Sequence, residues 1–214
     1  MHNARQLGTR ALGKRQAALD AASTLFRKHG YADASMDAVA DGAGISKATL
    51  YNYFPGKREL FSAVILEEGD RHSTELLAPA KSGEPVATRL RRYGNAVLDL
   101  LLAEETISSY RMVVAEAARS PELGRLYYEN GAARLHARLG QVIEAAMRTG
   151  ELRRGAVDAA TTQFIVLVRG DLMLRALLCV GPPVGATERQ AAVRAGVDSF
   201  CRAWARDAPR AVTS

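Results

Sequence analysis

No stretch of this chain alternates apolar and polar residues for long enough to build a strand. Ala, Leu, Arg and Glu dominate instead, and apolar positions recur at three- and four-residue steps between Gly and Pro breaks. Those residue types lose little on entering a helix, and that period is the helical one. The expected fold class is therefore all-α, and the remaining questions are where the helices stop and what they bury.

The first helix is expected over about 11–29, with Ala18, Leu19, Ala22, Leu25 and Phe26 on its buried face. Gly30 suits the left-handed position that closes it. Two short helices follow, about 36–42 and 47–53, with Ser35 and Ser46 as N-caps and Asp37 in a first turn, where the helix dipole favours negative charge. Pro55 ends the second of these, and a fourth helix runs from near Gly56 to about Leu77. The stretch 78–85, holding Pro79, Ser82, Gly83 and Pro85, reads as a loop. Helices over about 85–103 and 105–118 come next. Ser120-Pro121 then opens a helix that runs to about Arg148. The segment 158–180 is apolar around most of its circumference, so it needs burial on more than one side. Gly181-Pro182-Pro183 breaks it. Thr187 and Gln190 are spaced as a capping box for a last helix reaching about Arg206, and the tail beyond Pro209 is expected to be loose.

The formal net charge of +6 over 214 residues favours an anionic partner. Residues 1–60 carry +4 of it, nine Lys/Arg against five Asp/Glu. Cys179 and Cys201 have no metal or redox spacing, and Cys179 lies in an apolar run, as a buried reduced thiol would. The polar, basic start has no apolar core of a signal peptide. The longest apolar stretch, 164–180, is short and carries Arg169, Asp171 and Arg175, so no membrane span is expected. A cytoplasmic setting follows from these features. Asp171 and Arg175 are four apart and can pair on one helix face, and charges inside an apolar helix need partners, for which bridges to another helix or across a dimer interface are expected ahead of ligand contacts. No catalytic triad, paired carboxylates, phosphate loop or metal spacing is found, and an enzyme, a cofactor and a metal site are not expected. His29, His72 and His136 have no ligand-like neighbours.

The segment that carries the function is Ser35 to Phe61, SMDAVADGAGISKATLYNYFPGKRELF. Small residues at Gly42-Ala43-Gly44 let two short helices turn sharply and pack closely. Val39, Ala40, Ile45 and Leu50 are spaced to share one core with the first helix. That leaves Ser46, Lys47, Ala48, Thr49, Tyr51, Asn52 and Tyr53 facing outward. Hydroxyls and helix N-termini bond phosphates, and a helix's first turn can reach base edges. Taken singly, Tyr51 and Tyr53 could equally be core aromatics and Lys47 a solvated charge. The whole run in register favours DNA.

The run Ile45-Ser46-Lys47-Ala48-Thr49-Leu50-Tyr51-Asn52-Tyr53-Phe54, followed by Gly56-Lys57-Arg58-Glu59-Leu60, closely resembles the DNA-binding domain of the tetracycline-repressor (TetR) family, and the likeness spans roughly residues 12–62. The resemblance implies a helix-turn-helix domain over 11–58, a flexible basic arm over 1–10, and an effector-binding and dimerisation domain over 59–214. It puts Lys47 and Ala48 at base-edge positions, with Asn52 a further candidate for adenine. Thr49, Tyr51, Tyr53 and Lys57 fall at phosphate-contacting positions, and Ser35 and Ser46 can add caps and phosphate bonds. The arm, with Arg5 and Arg10, and the following Lys14 and Arg15 could enter a neighbouring minor groove or simply be solvated.

The stretch Ser109 to Val180 looks similar to the AefR-like C-terminal subgroup of the same family. That likeness implies a homodimer formed through the last two helices, a near-palindromic double-stranded operator, and a small, apolar effector. Tyr93, Met112, Tyr127, Phe164 and Met173 are candidate pocket residues, with ordinary core packing the alternative for each. The function so implied is a repressor released by its inducer; the alternative is an activator or chromosome-organising protein of the same fold.

Overall fold

A computed structural model describes residues 2–71 and 83–205, with side chains placed for 12–70 and 83–205. The side chains of Arg5 and Arg10, His72, most of the 78–85 loop and the tail beyond Pro209 lie outside the described residues. No strand occurs among the described residues. The chain forms two compact units: Met1–Glu68 with Ser108–Gly131, and Gly69–Ile107 with Ala132–Ser214.

In the first unit, α1 (His2–Asp33) buries Ala18, Leu19, Ala22 and Phe26. Gly30, at φ 81° and ψ 167°, kinks it, a backbone conformation open essentially to glycine alone. Two short helices follow, α2 (Met36–Gly42) and α3 (Lys47–Tyr53). Both expected caps form: Ser35 Oγ accepts from the Ala38 N–H at 3.1 Å and Ser46 Oγ from the Thr49 N–H at 3.2 Å. Between the helices, Ile45 N donates to Ala40 O at 3.0 Å and Gly44 N to Asp41 O at 3.1 Å, around Gly44 at φ 63°. This is the double bond of a Schellman ending, and the positive φ is what calls for glycine. Gly42 has no such need, since a methyl there would meet only Ala21 Cβ at an ordinary 3.5 Å.

Beyond the extended Phe54, α4 (Lys57–Arg71) brings Leu60, Phe61, Val64 and Ile65 onto the same core. Phe26, Tyr31 and Phe61 pack ring to ring, with centroids 5.3–5.6 Å apart. The core closes with Val113 on α6 (Glu104–Ala117) and Leu123 on α7 (Pro121–Tyr127). Among the described residues of this unit one carboxylate is buried. Glu68 accepts from Ser23 Oγ at 3.2 Å and from Ser109 Oγ at 3.1 and 3.2 Å, with Arg27 at 3.8 Å. Buried charge survives only with such partners.

The second unit is built from α5 (Val86–Leu101), α8 (Ala133–Arg148), α9 (Val157–Arg169), α10 (Leu172–Leu177) and α11 (Ala186–Ala203). Its core holds Leu90, Val97, Leu139, Ile143, Phe164, Val168, Val197 and Phe200. Glycines set the helix spacing: a methyl on Gly94 would meet Val193 Cγ1 at 2.9 Å, and one on Gly196 would meet the Leu167 carbonyl oxygen at 2.7 Å.

Several sequence expectations change in this half of the chain. The single helix expected over 158–180 is broken at Gly170 (φ 51°, ψ −135°), a conformation glycine alone tolerates. Asp171 therefore precedes α10, and Arg175 pairs not with it but with Glu188 on α11 at 2.6 Å, a bridge between helices as expected for a charge in this segment. The helix expected from Pro121 to Arg148 carries a π-helical turn, Tyr128–Ala132. The capping box at Thr187–Gln190 does not form, because α11 already starts at Ala186 with Gly185 as its cap and no side-chain cap bond. Cys179 is exposed, with φ 54°, because α10 ends before it and the chain turns there.

Candidate nucleic-acid interface

The short helix α3 rests on Leu50, which is fully buried under α1 and α2. Anchoring one residue of a seven-residue helix fixes its rotation, so the opposite side chains must face out. Ser46, Lys47, Ala48, Tyr51 and Asn52 are exposed, and Thr49 and Tyr53 are half-buried. Tyr51 leaves 48% of its surface uncovered. Tyr53 packs its ring toward Phe54, with centroids 6.4 Å apart. The Ser46 and Thr49 hydroxyls lie 2.8 Å apart, so the cap also orders the first turn.

Two lysines flank this face, and each has a protein partner. Lys47 Nζ donates to Asp37 Oδ2 at 2.6 Å, and this hydrogen bond raises the lysine pKa above its ordinary value. Lys57 Nζ donates to the Ala32 carbonyl at 2.9 Å and lies 4.6 Å from the centroid of the Tyr31 ring. Burial lowers the pKa of Lys57. Its ammonium ties the end of α1 to the start of α4. Arg15, in the basic stretch, stacks its guanidinium over Phe54 at 5.3 Å. Ser35, just before α2, is exposed, and its hydroxyl serves as the cap.

The five candidate pocket residues are divided between the two units. Met112 and Tyr127 pack against the core of the first unit, where Tyr127 meets Tyr110 edge-on at 5.9 Å. Tyr93 and Phe164 belong to the core of the second unit, and Met173, on α10, is buried. A depression of about 220 Å³ in the second unit is lined by Asn95, Leu98, Asp99, Ala186, Arg189 and Gln190, and includes none of the five. Among the described residues no group of His, Cys, Asp and Glu could hold a metal ion, and no helix is long and apolar enough to cross a membrane.

Two features escaped the sequence. Asp37 was legible only as a first-turn acid, because its partner is ten residues away and meets it only through the Gly44 turn. The Glu68 cluster draws on α1, α4 and α6, which no local pattern connects.

A helix-turn-helix seated on a three-helix core, with its second helix turned outward, defines a DNA-binding transcriptional regulator. Residues 18–64 match the family described as bacterial regulatory proteins, tetR family, and residues 88–206 match the AefR-like transcriptional repressor C-terminal domain. The chain belongs to the TetR family of bacterial regulators. It is 30% identical to an HTH-type transcriptional regulator of Mycobacterium tuberculosis over 161 residues, 74% of each chain. It is 36% identical to the HTH-type transcriptional activator FasR of Mycolicibacterium smegmatis over 99 residues, 44% of this chain and 42% of that protein. Among solved structures, the flavonoid-responsive regulator FrrA is 33% identical with a TM-score of 0.75, covering 91% of this chain and 98% of its own.

Proposed function

We propose that this regulator is a homodimeric, cytoplasmic repressor that holds a near-palindromic operator and lets go when a small, apolar molecule occupies the domain over 59–214. The observation that carries the DNA-reading part is the α3 face, with Tyr51, Lys47, Ala48 and Asn52 exposed above a buried Leu50. In this reading Lys47, Ala48 and Asn52 meet base edges, while Ser35, Ser46, Thr49, Tyr51, Tyr53 and Lys57 contact backbone phosphates. For Lys57, such a contact requires its ammonium to keep or exchange the Ala32 carbonyl.

Dimerisation is supported by an unusual concentration of exposed apolar side chains on and beside α9 and α10: Val166, Leu167, Leu174, Leu178 and Val180. A patch of this kind marks a surface that another protein covers. A second copy supplies the second recognition helix that a palindrome requires. Repression is supported by the likeness of residues 88–206 to the AefR-like repressor domain, and a small-molecule effector by the flavonoid response for which FrrA is named. Release follows if the effector binds better to a dimer whose recognition helices no longer match the groove spacing. A second reading, in which binding activates transcription, is supported by the relative FasR.

Selecting bound fragments from a random duplex pool, at stated salt, tests the reading. The selected site should be a two-fold repeat, and affinity should fall steeply with salt as counterions are released. Lys47→Ala and Tyr51→Ala should each weaken operator binding about tenfold, a loss typical of one good contact, with melting unchanged. Full affinity in both soluble variants would refute the site.

A further inference from the structure

Lys47 does not stand alone on the face that meets DNA. Its ammonium is bonded to Asp37 at 2.6 Å, and the two side chains are 62% and 56% exposed. Ion pairs so open to water add little net stability. The fold around them is already held by Met36, Val39, Ala40 and Leu50. The pair therefore needs another reason, because a carboxylate beside a polyanion is costly. Asp41, the other acid of α2, acts on Lys47 only through space and more weakly.

We infer that Asp37 is a specificity-determining residue of operator recognition, holding Lys47 back from non-specific phosphates and pairing with it to read a G·C base pair. The inference rests on α3 being the DNA-reading helix. On arbitrary duplex, Lys47 can reach a phosphate only by leaving Asp37 unpaired beside the phosphate chain. The repulsion cancels most of the gain, so Lys47 contributes little to indiscriminate binding. In the major groove, a G·C pair presents the guanine O6 and N7 acceptors next to the cytosine N4 donor. An ammonium beside a carboxylate is the complement of that edge: Lys47 donates to guanine while Asp37 accepts from cytosine. The two charges then satisfy each other and the base pair together.

The test uses the full-length dimer, the selected operator and a random duplex, with binding measured across a salt series. Asp37→Asn should bind the random duplex about threefold or more tighter at low salt, with the log–log salt slope steeper by about 0.9, one added phosphate contact. Its preference for the selected operator should shrink about tenfold, and repeated selection should lose one G·C position in each half-site. The Lys47→Gln background should abolish the gain on random DNA. Asp41→Asn makes the same charge change on the same helix and should not reproduce it. An equal gain from Asp41→Asn, a gain that survives Lys47→Gln, or an unaltered base preference would overturn the inference. So would a fall in melting temperature for Asp37→Asn well beyond the few degrees that losing a first-turn acid costs, which would make Asp37 a fold-holding residue. Wild-type protein that ignores every duplex would overturn the DNA-reading role itself; wild-type binding with an unaffected Asp37→Asn would overturn the Asp37 role alone.

Discussion

Gly196 lies where α11 crosses α9 so closely that a methyl there would sit 2.7 Å from the Leu167 carbonyl oxygen and 2.8 Å from both Leu167 C and Val168 Cα. Non-bonded carbons settle at about 3.5–4.0 Å, so Gly196→Ala must push the α9 and α11 backbones apart by roughly 0.7 Å. Two effects oppose each other. Replacing a mid-helix glycine by alanine gains about 1 kcal/mol of helix propensity. Forcing extra volume into a packed crossing costs about 1–3 kcal/mol, and the upper end applies here because the obstacles are backbone atoms that cannot swing aside. The net is a loss of about 2 kcal/mol. At about 2–4 °C per kcal/mol for a chain of this size, the melting temperature should fall by about 4–8 °C. Gly13→Ala is the control: Gly13 lies in α1, is exposed, and has nothing within 4 Å of a built methyl, so propensity alone acts and stability should rise. Circular-dichroism melts and urea titrations at one fixed protein concentration read both, since a dimer's stability depends on concentration. Unchanged or higher stability in Gly196→Ala would refute the close crossing. An equal fall in Gly13→Ala would show that the contact was not the cause.

Phe61→Ala removes the ring at the centre of the Phe26–Tyr31–Phe61 cluster and should cost about 3–5 kcal/mol in a denaturant titration, with DNA binding lost alongside folding. Ser46→Ala deletes the cap on α3 and should cost about 1 kcal/mol, read as a small fall in melting temperature; Ser46→Asp, which caps equally well, should restore it. Burial raises the Glu151 pKa, but the hydrogen bonds from Arg89, at 2.9 and 3.0 Å, and from Thr149, at 2.7 Å, outweigh it and hold the carboxyl below its usual value of 4.5. A depressed carboxyl pKa adds stability above the usual value and loses it as pH falls through the folded one. Glu151→Gln should therefore cost about 1 kcal/mol at neutral pH, and the difference between the two melts should shrink as pH falls below 4.5; a difference that stays constant down the acid series would refute the assignment.

The legible parts of this chain are those whose causes are local. The Ser35 and Ser46 caps, the bounds of α2 and α3, and the burial of Val39, Ala40 and Leu50 follow from residues within one or two turns of each other. The outward set on α3 was legible for the same reason, since a seven-residue helix has only one way to bury Leu50. What failed to show were features with distant causes. Gly170 reads as a tolerated glycine inside an apolar run, yet it breaks the helix and passes Arg175 from Asp171 to Glu188. Cys179 reads as core and is exposed, because only the end of α10 decides which way it turns. Tyr93 and Phe164 join one core while Met112 and Tyr127 pack against the other, and periodicity carries no information about which core an apolar side chain joins.

Sequence alone settled the helical class, the two capped helices and the family, because hydrogen bonding along a helix links only residues three to five apart. Tertiary structure decided that Lys47 is held by Asp37, that Lys57 is engaged by Ala32 and Tyr31, and that Glu68 is buried among hydroxyls. Each of those depends on where separate helices are brought together, and charge and dispersion act on distance in space, whatever the separation along the chain.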